Sequence, residues 1–564
     1  MANDIRRLME TGRTAEAEAA LRRKLAEAPT NAEWRTMLAR ILAATGRKPD
    51  AINELGMAVE HAPTARESRL TLARLANELG QSDLAARHAR VLTERDARDS
   101  EAWSALGMAA FGLRQKREAT RALRRALEIQ PNYGAARYNL AAVLADQEQS
   151  EEALEEAGAA LRHGAKPRSV SLVQARAFIQ LDRFEDAERQ LLVLLRTDAN
   201  DVEAHGLLLQ LRQLRGDEDP LSVLRDAASK PSAPPRLRLA LADAARRSGA
   251  APEAEAGLRE LMKTFGAEPT LMSSLATVLQ ESGRTGEALD AARTAIARLP
   301  DDPVVAENFV VAALCAGAPA DALPFVEKFR ARRPRDQRWI AYRIDIARLR
   351  AEQEYASWFD AARVITVIDL PPPAGFASIG DFHSSLVPVL QARHRQQNHP
   401  LDQSLRHGTQ TSRNLLVKPG PEISSLLQSF QQAIADVQAR LGRDAAHPFE
   451  ARNLSPAVLL GCWSVRLRRQ GFHVNHIHPE GWLSSAYYAS VPAEVDDSTR
   501  RSGWLKFGEP RFPVPQLTPF LEVQPMPGRL VLFPSYLWHG TNALRDDAPR
   551  LSVAFDAVPS AEMD

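Results

Sequence analysis

Three histidines fall within six positions in the segment from Gly471 to Tyr488, GFHVNHIHPEGWLSSAYY: His473, His476 and His478. Side chains two apart on an extended strand point to the same face, so in a strand His476 and His478 converge while His473 and Asn475 face the other way. Two imidazoles on one face are half of a metal site, and the remainder must come from elsewhere in the chain. A distant partner stands near the end, where Leu530 to Gly540 reads LVLFPSYLWHG and offers His539. Eleven residues further on comes Arg550, in the run PRLSVAFD from Pro549 to Asp556. Arg550 and Ser552 are two apart and share a strand face, where a guanidinium can grip a carboxylate bidentately and a hydroxyl can add a hydrogen bond. Purely structural roles compete with this chemistry: His539 beside Trp538 suits a packed core histidine, and Arg550 suits a surface ion pair with Asp546 or Asp547.

The elements that must position these residues occupy only the last part of a long chain. At 564 residues it is too long for one hydrophobic core, so two or more domains are expected. A net charge of +1, with both signs plentiful, supplies no global field toward nucleic acid or a membrane surface. Cys315 and Cys462 are too few for a disulfide framework and too far apart for a metal clip, which fits a reducing compartment. The opening residues, MANDIRRLMETGRTAEAEAALRRKL, carry charges throughout and no apolar signal core, and no later stretch approaches ~18 uninterrupted apolar residues. The expectation is a soluble, cytoplasmic protein with neither nucleic acid nor membrane as partner. The sequence leaves the oligomeric state open.

Residues 1–350 read as a repeat array. Ala17, Ala51, Ala85, Ala119, Ala153 and Ala187 lie 34 residues apart, and Ala254, Ala288 and Ala322 resume the period after one deleted residue. A second column runs upstream as Leu38-Ala39, Leu72-Ala73, Leu106-Gly107, Leu140-Ala141, Leu241-Ala242 and Leu275-Ala276. Pro29, Pro63, Pro131, Pro300 and Pro334 close individual units. The pattern resembles the tetratricopeptide repeat, in which small residues sit where two antiparallel helices touch. About ten units fit, the first truncated; the unit from Asn200 to Pro235 is degraded in its second helix, where Leu221 replaces the small residue and KPSAPP breaks the run. Such hairpins bury their apolar sides only by stacking, which leaves a scaffold or a concave groove for a peptide or protein.

Residues 351–364 form a connector, after which the texture changes. Val364 to Ile368 is β-branched, helical periodicity returns at Ile379 to Arg395 and Ile423 to Leu441, and from Leu459 the chain reads as short strands. The strands expected are Leu459 to Arg468, His473 to His478, Leu483 to Val491, Gly503 to Phe507, Gly528 to Phe533 and Leu551 to Val558, with Gly408 to Thr411 as a loop of no assigned duty. Helices followed by strands indicate an α+β domain over residues 365–564. On the motifs Trp463-Ser464-Val465-Arg466-Leu467, Asn475-His476-Ile477-His478-Pro479, Gly503 to Gly508, Leu532-Phe533-Pro534, Trp538-His539-Gly540 and Arg550-Leu551-Ser552, this domain resembles the Fe(II)- and 2-oxoglutarate-dependent dioxygenases, in particular bacterial oxygenases fused to tetratricopeptide repeats.

The resemblance implies a double-stranded β-helix (jelly roll) with iron at its mouth, and 2-oxoglutarate and dioxygen as co-substrates. Carried over by position, His476 is the first metal ligand, His539 the distal one, and Arg550 with Ser552 binds the far carboxylate of 2-oxoglutarate. His478 stands where that superfamily places Asp or Glu. Either it ligates as a third imidazole, or it lies one shell out with water in that position, or the site prefers another metal; a neutral ligand makes the metal site one unit more positive. Arg466 and Tyr488 are candidates to line the co-substrate cavity, or plain sheet-packing residues, while His473 has the wrong parity for the metal. Hydroxylation of a peptide or protein side chain, gripped by the repeats at a point remote from the reacting carbon, is the leading expectation. A non-catalytic metal-binding scaffold and a small-metabolite oxygenase are the alternatives.

Overall fold

The computed structural model describes residues 11–400 and 403–562, together with Ile5, Arg7 and Leu8. Among them, one helix (Thr14–Glu27) is followed by nine helical hairpins and a closing helix (Gln337–Arg350). The hairpin Ser100–Gly112 with Lys116–Ile129 is representative. All nine alanines of the 34-residue column are 0% exposed, as close helix crossings require. At Gly107 a Cβ would lie 2.6 Å from Leu123 Cγ, so nothing larger than glycine fits that crossing. Asn31, Asp99, Asp201, Asp302 and Asp336 cap first helices by accepting backbone N–H bonds.

The turn within each hairpin supplies a second periodic signature. Residues 12, 46, 80, 114, 148, 182, 216, 249, 283, 317 and 351 all have positive φ. Seven are glycine; Arg114, Glu148, Asp182 and Ala351 hold the left-handed conformation without that freedom. The degraded unit is visible as a short helix, Ser222–Ser229, where its counterparts run 13 to 15 residues.

Residues 1–177 make up one compact unit and residues 178–564 another. In the second unit, β1 (Thr366–Asp369), β7 (Arg529–Pro534), β4 (Leu483–Ser490), β9 (Arg550–Pro559), β3 (Ala457–His473) and β2 (Leu405–Gln410) form one sheet in that order. A smaller sheet runs β6 (Leu521–Val523), β5 (Leu505–Phe507), β8 (His539–Thr541). Phe507 of the smaller sheet meets Phe533 of the larger, with ring centroids 4.9 Å apart. The helices Ile379–Gln391 and Pro421–Arg440 cover the larger sheet, where Phe430 packs on Tyr487 and Phe555 at 5.3 and 4.7 Å.

Two strand expectations require correction. Residues 474 to 478 do not continue a strand: β3 stops at His473, and only His476 makes an isolated bridge. Gly408, Thr409 and Gln410 are not in a loop but in β2, an edge strand whose register slips between Arg406 and Gly408.

The helix Gln337–Arg350 is buried almost all round, because it belongs to two cores at once. Trp339, Tyr342 and Ile346 join the core of the later repeats together with Phe512, Val514, Leu517 and Trp538 from the β-rich part. Ile340 and Ile344 join the core under the sheet. The repeats of this unit and the β-rich domain are therefore packed as one body.

Candidate metal centre

The backbone brings two of the histidines face to face. His476 N donates to His539 O at 2.8 Å and His539 N returns a bond to His476 O at 3.0 Å, while His478 N is held by Ser535 O at 3.0 Å. The ring centroids lie 4.2 Å (476 to 539) and 5.1 Å (476 to 478, and 478 to 539) apart. One ligand atom from each of the three falls within 4.8 Å of the others. Gly540 permits this approach, since a Cβ there would stand 2.1 Å from Asn475 Oδ1 and 2.9 Å from His473 O.

Each ring is anchored through Nδ1. His476 Nδ1 lies 2.9 Å from Val474 O, His539 Nδ1 2.9 Å from Leu537 O, and His478 Nδ1 2.7 Å from Asp556 Oδ2. Carbonyls and a carboxylate accept, so each Nδ1 donates, which leaves the Nε2 lone pairs as the common ligand set. Burial pushes His476 down to about 3 and His539 well below the usual imidazole range, with the neighbouring rings adding to the effect. Neutral imidazoles are what a metal requires. Ser404 Oγ stands 3.3 Å from His476 Nε2 and 3.0 Å from His473 Nδ1.

Asp556 stands behind His478. Its carboxylate accepts from His478 Nδ1 and from Ser484 Oγ at 2.7 Å, and Ser484 Oγ in turn lies 2.8 Å from Ser535 Oγ. The negative charge absent from the ligand set is thus present one hydrogen bond behind it. Sequence reasoning passed over Asp556, although strand parity points to it: Arg550, Ser552, Ala554 and Asp556 of β9 all border the same cavity.

Further along β9 stands a buried guanidinium, that of Arg550. Arg550 is 2% exposed, donates from Nη1 to Gly503 O at 2.5 Å, and stacks over Tyr488 at 5.5 Å. It makes no ion pair with Asp546 or Asp547, so the surface-pair alternative does not describe it; the nearby pair is Arg469 with Asp547 at 3.7 Å. Arg550 Nε and Tyr488 Oη are buried without a hydrogen-bond partner, and Ser552 pairs with Tyr488 across the strands. Two orphaned donors beside a hydroxyl fit a carboxylate, and three converging Nε2 atoms fit a divalent metal.

One other candidate falls differently from expectation. Arg466 is not on the cavity wall: Trp463 and Val465 of β3 border it, so Arg466 projects from the opposite face, on the side of His394, Thr409 and Ser464. His473 does border the cavity and its ring stacks 5.8 Å from that of His476. It does not belong to the candidate ligand group of His476, His478 and His539, in keeping with the expectation from parity.

The model of the family described as "Putative 2OG-Fe(II) oxygenase" matches residues 461–556, and tetratricopeptide repeat models match residues 8–67, 100–133 and 122–155. The chain thus joins segments that match tetratricopeptide repeat models to a segment that matches the oxygenase model. Among curated proteins none matches. Among solved structures it is similar to TTC0263, a thermophilic tetratricopeptide-repeat protein of Thermus thermophilus, at 20% identity over 31% of this chain and 95% of that chain, with a TM-score of 0.29. It is also similar to MamA of Desulfovibrio magneticus (17%, 29% and 92%, TM-score 0.27) and to pilF of Pseudomonas aeruginosa (16%, 36% and 93%, TM-score 0.31). At these scores the likenesses carry no argument about function. No helix among the described residues is long and apolar enough to cross a membrane.

The cavity over the three histidines has a volume of about 1580 Å³ and is closed on one side by the repeats themselves. Gln213, Asp243, Ser274, Thr277 and Asn308 of the repeats border it together with the histidines of the oxygenase domain. Within residues 202–315 the inner helices of the repeats thus border the same cavity as the histidines. The wall is fixed by the shared core: Trp538, next to His539, donates from Nε1 to Asp345 Oδ2 of the closing helix at 2.9 Å.

Proposed function

We propose that this protein is an Fe(II)- and 2-oxoglutarate-dependent hydroxylase of a peptide or protein side chain, with the substrate lying between the oxygenase domain and the later repeats. The observation that carries the reading is the convergence of His476, His478 and His539 at one wall of a cavity whose opposite wall is made of repeat helices. At about 1580 Å³ the cavity exceeds the few hundred to ~1,000 Å³ usual for small-molecule sites. A repeat wall rich in amide and hydroxyl groups suits the backbone of an extended polypeptide better than a compact metabolite.

His476, His478 and His539 would hold the iron through Nε2, and Arg550 with Ser552 and Tyr488 would hold the far carboxylate of 2-oxoglutarate. When bound, iron(II) and 2-oxoglutarate activate dioxygen so that one oxygen atom enters a substrate C–H bond and the other leaves in succinate, with carbon dioxide released. The protein's own work is orientation and exclusion of water. Val474 O, Leu537 O and Asp556 fix the ring directions, Trp463 stacks over His478 at 5.9 Å, and the buried Arg550 neutralises a carboxylate that water would otherwise solvate.

The test is incubation with Fe(II), 2-oxoglutarate, dioxygen and a peptide library, reading succinate together with the mass gain of one oxygen atom on a peptide. Both products are expected from the parent protein and neither from His476→Ala or His539→Ala. Succinate unaffected by those substitutions would reject the site, and peptide capture without any succinate would leave the scaffold reading.

A further inference from the structure

The cavity holds a second guanidinium whose charge nothing in the described chain answers. Five arginines border it: Arg246, Arg247, Arg406, Arg511 and Arg550. Three are neutralised by carboxylates. Arg246 meets Glu281 at 2.7 Å and Asp243 at 3.3 Å, Arg247 meets Asp243 at 3.1 Å, and Arg511 meets Glu307 at 3.7 Å. Arg550 and Arg406 have no carboxylate within 4.0 Å among the described residues. For Arg550 the missing anion is the co-substrate of the proposed function. Arg406 poses the same question on another strand.

Arg406 sits half-buried on the edge strand β2, where its partner in β3 is Phe472. Its Nη1 donates to the carbonyls of Gln403 at 2.6 Å and of Leu405 at 2.7 Å, which pins one end of the fork. Nε and Nη2 make no hydrogen bond within the described chain. Burial lowers its proton affinity, and no carboxylate among the described residues opposes that effect. The histidines that border the cavity with it, His399 and His473, carry no negative charge to answer it. Arg406, His399 and His473 border the cavity together, and the ring of His473 stacks on that of His476.

We propose that Arg406 recognises a carboxylate of the polypeptide substrate, an aspartate or glutamate side chain or the chain's own C-terminus, and so determines which segment is presented to the three histidines. A planar guanidinium with one edge held by carbonyls presents its free nitrogens in a fixed direction, which suits bidentate capture of a carboxylate. Ser274, Thr277 and Asn308 of the repeats border the same cavity and have the chemistry for the flanking backbone. This inference rests on the proposed function and names the class of substrate that it acts on.

The full chain, loaded anaerobically with Fe(II) and 2-oxoglutarate, is immobilised and offered two random peptide libraries, one blocked at both ends and one with a free C-terminus. Retained peptides are sequenced, and 2-oxoglutarate affinity is followed in parallel through the visible absorption of the metal-bound co-substrate. Enrichment of Asp or Glu over Asn or Gln by about tenfold in the blocked library identifies a side-chain carboxylate, and similar enrichment confined to the free-acid library identifies the terminal one. In Arg406→Gln either enrichment is expected to fall below about twofold while 2-oxoglutarate affinity stays within about twofold of the parent; Arg406→Lys, which keeps the charge and loses the fork, should fall between. The inference is overturned if retained peptides show no acidic preference, if that preference survives Arg406→Gln, or if Arg406→Gln loses 2-oxoglutarate together with it. A parent protein with the absorption band but no carboxylate selection refutes the inference alone. Absence of the band in the parent refutes the proposed function as well.

Discussion

The two stretches of the repeat array are built from the same 34-residue unit and differ in what they pack against. Hairpins in residues 1–177 bury their alanine columns against one another, in cores made of repeat residues alone. Hairpins in residues 178–350 do the same, yet their core also takes in Phe512, Val514, Leu517 and Trp538 of the oxygenase domain. One repeat geometry therefore packs only on itself in the first case and borders the cavity over the three histidines in the second. Equal damage in the two stretches should have equal effects on stability and unequal effects on the metal site.

The sharpest contrast is between Trp339→Ala and Leu123→Ala. Trp339 is 1% exposed in the shared core and Leu123 is 0% exposed in the repeat-only core. Losses of about 3–5 and 2–5 kcal/mol in unfolding free energy are expected by denaturant titration. Only Trp339→Ala should also weaken 2-oxoglutarate binding; equal binding in both variants would mean that the shared core does not support the site.

Next in size is the pH response of Asp345, which belongs to that same junction. Burial raises its carboxyl to about 7 from an ordinary value of 3.8, against the Trp538 hydrogen bond that lowers it. The native state therefore keeps a proton that the unfolded chain releases, so unfolding free energy falls as pH rises from about 4 to 7 and is level above, by at most ~4 kcal/mol. Asp345→Asn should flatten that part of the stability–pH profile, and an unchanged slope would place the titration elsewhere.

Asp556→Asn comes third. Metal affinity should drop about 10- to 100-fold with the stability of the metal-free protein nearly unchanged, as expected for a carboxylate that orients a ligand; calorimetric titration with Fe(II) or Co(II) reads it directly. The smallest effects lie in the turns. Gly283→Ala puts a side chain at φ 75° and should cost about 1 kcal/mol, whereas Arg114→Gly removes one from φ 65° and should gain up to about 1 kcal/mol by thermal unfolding. Neither change should move metal affinity.

The repeats were legible in the sequence because each contact is local and recurs. Ala17 to Ala322 mark helix crossings that any unit displays, although the positive-φ column beginning at residue 12 went unread because arginine, glutamate, aspartate and alanine interrupt its glycines. The metal site was legible in part, and for a different reason. His476 and His478 were paired by strand parity, but the segment after His473 is held by a single bridge to His539 and by Ser535 O, so their convergence comes from long-range pairing that spacing does not encode. Arg466 was misplaced because a β3 residue was chosen by motif and not by parity with Trp463 and Val465, while parity along β9 already led from Arg550 to Asp556. What no periodicity conveys is that helices of residues 202–315 close the cavity, since that follows from how two cores share the helix Gln337–Arg350.

Three imidazoles and one buried guanidinium would, in the proposed function, serve a single bound pair of metal and co-substrate. Anaerobic titration of the full chain with Fe(II) and then 2-oxoglutarate, followed by visible absorption, tests it most directly. The account predicts a charge-transfer band that needs both additions, disappears in His476→Ala and in His539→Ala, and in Arg550→Gln requires at least about tenfold more 2-oxoglutarate. A band that forms equally well in the histidine variants, or no band with intact metal binding, would contradict it.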